Sequence, residues 1–277
     1  VSIYKSNSDR TRVRRWCAER LDAWGVDHAR RELTTSAGIT SGAPSIVLLP
    51  GTNMNAAVSL AAVTVLSADW HTVVLDVPGQ PGLSGDWRPR RGRISWYGNW
   101  LSEALERAVP GPALVVGHSL DGAIALACSS LRITGRVLVS PAGLTRLRVS
   151  PSVVAATVPW LVSPSVRRAR RLLNHMVAPG RLVPGALATW MDMVATCCHS
   201  SLAPAPLPAV VLKGRRSTSC AVVTGRHDVF LPPQALGPAA RRGLGVDVQV
   251  VEGAGHLLLE EEPEAVAAIV RGLDAGR

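Results

Sequence analysis

The chain of 277 residues is 47% hydrophobic and carries a formal net charge of +10. That apolar content suffices for a sizeable core and excludes a disordered chain, and no unbroken apolar run of about 18 residues marks a membrane span. The charge invites a nucleic-acid partner, but only Lys5 and Lys213 of the 30 basic residues are lysines, the arginines are scattered with no interleaved aromatics near most of them, and solvated surface rather than nucleic-acid binding is the expectation.

In chain order, the N-terminal stretch VSIYKSNSDRTRVRRWC is polar and basic. It lacks the apolar segment of a secretory signal, so a cytoplasmic location is expected. Residues 9–24 read as a basic amphipathic helix and residues 32–40 as a short edge hairpin. Together residues 1–40 are predicted to pack on the core as a separate N-terminal piece. Six short β-branched runs follow, at 45–49, 72–75, 113–116, 137–139, 221–223 and 246–251. Helix-length segments separate most of them, at 55–68, 95–109, 120–130, 232–242 and 263–273. Strands apolar at every position are buried on both faces, so the alternation predicts an α/β fold with a mostly parallel central sheet flanked by helices.

The alternation breaks once. Residues 144–213 contain no convincing strand, only helical segments expected to open at Ser150-Pro151, Ser163-Pro164 and Val183-Pro184, with Ser as N-cap in the first two. This insertion is read as a helical cap over a site built by residues 41–143 and 214–277. Trp160, Trp190 and Met193 are expected to line the pocket beneath it. The five cysteines are odd in number and follow no framework spacing, so they read as reduced thiols. Cys197-Cys198-His199 has no converging geometry on a helix, and no metal is expected there.

Three segments carry chemistry. Gly117-His118-Ser119-Leu120-Asp121-Gly122 follows one apolar run and opens a helix. A serine on so tight a strand-to-helix turn projects its hydroxyl clear of the sheet, beside free helical N–H groups that favour developing negative charge. Asp228 follows the run at 221–223, where a turn aspartate or helix N-cap is the plainer reading. His256 sits in Gly253-Ala254-Gly255-His256 after the last run, where an ordinary surface histidine is the alternative.

The order Ser119, Asp228, His256, each after its own strand, resembles the α/β-hydrolase superfamily. The resemblance covers roughly residues 45–143 and 217–273, including the turn Asp76-Val77-Pro78-Gly79-Gln80-Pro81-Gly82-Leu83-Ser84. It implies a serine hydrolase with Ser119 as nucleophile, His256 as base and Asp228 as orienting acid. It also implies an oxyanion hole from the N–H groups of Thr52 and Leu120, a small-molecule acyl substrate, and no cofactor. Serine at 119 argues against the branches that need a carboxylate nucleophile. Ester, thioester or lactone cleavage, acyl transfer or cyclisation, and a low-turnover binding protein on the same scaffold stay open. Most relatives carry a small residue where this chain has Asp121, so its carboxylate is expected to temper catalysis by repelling the oxyanion, unless it is a working part of the site.

Overall fold

A computed structural model describes residues 2–25, 44–199 and 205–276; the hairpin expected at 32–40 lies outside them. Strands β1 (Ser45–Leu49), β2 (Thr72–Val74), β3 (Ala113–His118), β4 (Ile133–Val139), β5 (Ser219–Gly225) and β6 (Val248–Val251) form one sheet in the order β2-β1-β3-β4-β5-β6. Every pairing is parallel. The order reverses between β1 and β3, which opens a crevice beyond their C-terminal ends.

Alternate strand residues feed two cores. Ile46, Leu48, Leu114, Val116, Val137 and Val139 face one side. Val47, Leu49, Val73, Val115, Leu138 and Val222 face the other. The second side is covered by α3 (Arg93–Ala108), α4 (Leu120–Ala127) and α9 (Pro233–Leu244). The first is covered by α1 (Asn7–Ala23), α2 (Leu60–Leu66), the short α10 (Leu258–Glu261) and α11 (Pro263–Ala275). A run apolar at every position is what burial on both faces demands.

Between residues 144 and 213 the described residues form no strand, only α5 (Pro151–Val162), α6 (Val166–Leu173), α7 (Gly185–Cys197) and the short α8 (Ala209–Lys213). Ser150 caps α5 through the Val153 N–H, as its sequence predicts. The expected start at Ser163-Pro164 is corrected. Ser163 closes α5, and Ser165 caps α6 by accepting the Arg168 N–H at 3.3 Å. A serine two residues further on offers the same oxygen, and sequence spacing alone does not choose between them. The N-terminal helix docks on these helices, with Trp16 of α1 stacked on Trp190 of α7 at 5.0 Å.

Candidate active site

Ser119 sits at the tip of β3 with φ 51° and ψ −118°, a strained backbone for a residue with a Cβ. Hydrogen bonds over-determine it. Its N–H donates to Val139 O at 2.9 Å, and its carbonyl accepts from Ala142 N at 2.8 Å and Gly122 N at 3.1 Å. The turn closes because Gly122 has no side chain; a Cβ there would stand 2.6 Å from Pro141 Cβ. Gly117 is required for the same reason, since a Cβ there would stand 2.8 Å from Asp121 O.

The serine hydroxyl lies 3.1 Å from His256 Nε2, and His256 Nδ1 lies 2.9 Å from Asp228 Oδ2. Asp228 follows β5, where its Oδ1 accepts the N–H groups of Phe230 and Leu231 at 2.8 and 2.9 Å. Burial pushes this carboxyl's pKa up, but attraction to His256 and these hydrogen bonds outweigh it and hold the group well below the usual carboxylate range. His256 follows β6 and is fixed by its backbone, whose N–H donates to Met176 O at 2.6 Å. Phe230 meets its ring edge-on at 4.9 Å. The three residues brought together are those read from the sequence.

The loop after β1 carries Thr52, whose N–H makes no backbone hydrogen bond among the described residues. Leu120 opens α4, so its N–H has no partner one helical turn back. Four side chains hold the loop. His118 Nδ1 lies 3.0 Å from Pro50 O, Gln80 Oε1 accepts Asn53 N–H at 3.1 Å, and Trp190 Nε1 donates to Asn53 O at 2.6 Å. The fourth is Asp121, whose Oδ2 accepts the Gly51 N–H at 2.7 Å.

Asp121 is fully buried and outside the cavity lining. Burial raises its pKa to about 7, while the Gly51 bond draws it down. Repulsion of an oxyanion is therefore not its whole role: it braces the loop that carries Thr52.

His118 stands in the same motif, and the sequence reading gave it no role. Burial, and then the neighbouring His256, push its pKa down to about 4. The ring is neutral at pH 7 and bridges Pro50 O and His256 O, the latter at 2.8 Å. A neutral imidazole donates through one nitrogen only, so it serves one of these carbonyls at a time.

Beside Ser119 and His256 opens a cavity of about 290 Å³. Of the three residues expected there, Trp160 lines it, beside Thr52, Val153, Leu172, Met176, Met191 and Phe230. Trp190 and Met193 do not. Both are buried on another face of α7, Trp190 against Trp16 of α1. One residue along a helix is a turn of about 100°, which brings Met191 rather than Trp190 to the cavity. Trp160 Nε1 donates to Met191 O at 2.9 Å, fixing α5 against α7. No helix among the described residues is long and apolar enough to cross a membrane.

The chain is similar to known proteins along most of its length. It is 28% identical over 235 residues to the lipase LipV of Mycobacterium tuberculosis, covering 73% of this chain and 86% of that protein. The fold matches carboxylesterase CesB (YbfK) of Bacillus subtilis with a TM-score of 0.75 at 19% identity, covering 98% and 99% of the two chains. It also matches the naproxen esterase of Bacillus subtilis with a TM-score of 0.74 at 20% identity, over 97% and 99%. The family model described as "Alpha/beta hydrolase family" matches residues 46–269. Because that match spans most of the chain, the chain belongs to the alpha/beta hydrolase family.

Proposed function

We propose that this protein is a serine esterase that cleaves a neutral carboxylic ester or thioester through an acyl-Ser119 intermediate. The observation that carries this reading is the unbroken chain Ser119 Oγ–His256–Asp228, with separations of 3.1 and 2.9 Å. His256 takes the hydroxyl proton as Ser119 attacks the acyl carbon, and Asp228 holds the imidazole tautomer and stabilises the imidazolium. The Thr52 and Leu120 N–H groups receive the oxyanion, each worth on the order of 3 kcal/mol in the transition state. The proton then passes to the leaving group, and water activated by His256 releases the acid. No metal or organic cofactor enters this sequence.

The cavity supports a substrate class. Its lining is dominated by Val, Leu, Met, Trp and Phe, and neither lysine nor arginine lines it among the described residues. An acyl or aryl group without charge fits such a wall, whereas a carboxylate would be desolvated without a counter-charge. Residues 144–213 act as the cap, with α5 and α7 supplying Trp160 and Met191 as the roof. LipV and the two esterases carry names consistent with ester cleavage.

The test is hydrolysis of p-nitrophenyl butyrate by Ser119→Ala and His256→Ala. Each is expected to lose about 10⁶-fold in kcat while keeping a native unfolding transition. Near-wild-type turnover by contamination-free Ser119→Ala protein overturns the proposal.

A further inference from the structure

Ten large apolar side chains stand exposed among the described residues, and seven of them fall between Val149 and Leu182. Helix α5 (PSVVAATVPWLV) has no charged residue on any face. Val153, Ala156 and Trp160 point inward, while Val154, Val158, Leu161 and Val162, at positions i, i+4, i+7 and i+8, stand in water. A helix apolar all round normally lies in a core or in lipid. A clustered exposed patch of this kind marks an interaction surface rather than scattered surface residues.

The charge around it has one sign. Residues 144–191 hold seven arginines and neither aspartate nor glutamate. Arg167, Arg170 and Arg171 are exposed on α6, which packs on α5, and Arg146 and Arg148 are exposed just before it. None of these five pairs with a carboxylate among the described residues. The patch reaches the cavity, because Val149 is 58% exposed and also lines it.

We infer that α5, α6 and residues 146–149 form a docking face for an anionic lipid–water surface, which brings the cavity mouth onto that surface. The valines insert among acyl chains while the arginines meet the headgroups. A second copy of the chain is the poorer occupant, since a two-fold contact would set this basic face against itself. The surface is independent of Ser119 chemistry, so the two readings fail separately.

The experiment is co-sedimentation of the full chain with vesicles of phosphatidylcholine alone and of phosphatidylcholine mixed with phosphatidylglycerol. Binding is expected to the mixed vesicles, weakening as salt rises. The triple variant Arg167→Gln/Arg170→Gln/Arg171→Gln should bind about 100-fold more weakly, about fivefold for each arginine. Val154→Ser/Val158→Ser/Val162→Ser should lose about tenfold or more. Both variants should keep wild-type thermal unfolding and turnover of water-soluble p-nitrophenyl acetate, which separates lost docking from misfolding. Equal binding to both vesicle compositions, or no binding to either, overturns the proposal. So does a concentration-dependent dimer that the valine variant abolishes without any vesicle binding, which would make the face a contact between copies.

Discussion

At the scale of single residues, the backbone of the loop after β1 is where side chains convert packing into chemistry. An oxyanion donor is useful only if it is already aimed when charge develops. Here Asp121 holds the Pro50–Gly51 peptide and Gln80 the Thr52–Asn53 peptide, one on each side of the Gly51–Thr52 peptide that carries the donor, and Trp190 holds the Asn53 carbonyl beyond them. Removing the brace should therefore lower kcat while leaving KM nearly unchanged. Asp121→Ala is expected to lose about tenfold in kcat on p-nitrophenyl butyrate, a loss of about 1.4 kcal/mol in transition-state stabilisation. Asp121→Asn keeps an oxygen for the Gly51 N–H and should stay within about threefold of wild type. If Asp121→Ala turned over faster than wild type, repulsion would outweigh bracing. In the proposed mechanism Asp228 acts through His256, so Asp228→Asn should cost about 10⁴-fold in kcat, measured beside Ser119→Ala.

At the scale of elements, strand β1 was legible to its last residue because four of its five side chains are apolar and all five are buried. Strand β4 was legible only from 137 onward, although it begins at Ile133. Thr134, Gly135 and Arg136 break the apolar run, yet Arg136 is buried. Its Nε and Nη2 donate to Ala125 O and Cys128 O at the C-terminal end of α4. Burial pushes its pKa down to about 10, still charged at pH 7. A charged residue that satisfies a helix end from within a strand leaves no periodic signal. The helices of residues 144–213 were legible as helices, but their facing was not, because Trp190 answers to Trp16 of α1, more than 170 residues away in sequence. The difference is measurable. Trp160→Ala and Met191→Ala should shift the ratio of kcat/KM between acetyl, butyryl and octanoyl esters. Met193→Ala should leave those ratios unchanged and lower the unfolding temperature instead. A shifted ratio in the Met193 variant would place that side chain in the acyl site after all.

At the scale of the whole molecule, the site gathers the C-terminal ends of β1, β3, β5 and β6, where a parallel sheet with this order opens its crevice. The order of Ser119, Asp228 and His256 along the chain made that convergence legible; the contact of Met176 with the His256 backbone did not show, since it joins the inserted helices to the last loop.

Stability should register the buried carboxyl. Asp121 has its pKa raised to about 7 in the folded protein, so between its unfolded value near 4 and about pH 7 the folded state holds a proton that the unfolded state has released. Its contribution is full below about pH 4 and is lost as pH rises through about 7. The unfolding free energy of wild type relative to Asp121→Asn should therefore fall across that window, by at most on the order of 4 kcal/mol. Free N–H groups at the start of α4 offset part of this. Denaturant titrations at matched pH values check it, and a flat difference would mean the carboxyl ionises as easily folded as unfolded.

The central claim is that Ser119 carries the acyl group during turnover. Acid quenching in the first moments of reaction with p-nitrophenyl butyrate, followed by digestion and mass spectrometry, tests it most directly. The account predicts one butyryl group on the peptide containing Ser119, bound to the serine oxygen and absent from the Ser119→Ala protein. Steady turnover with that peptide unmodified at every quench time, or butyryl found on another residue, would contradict it.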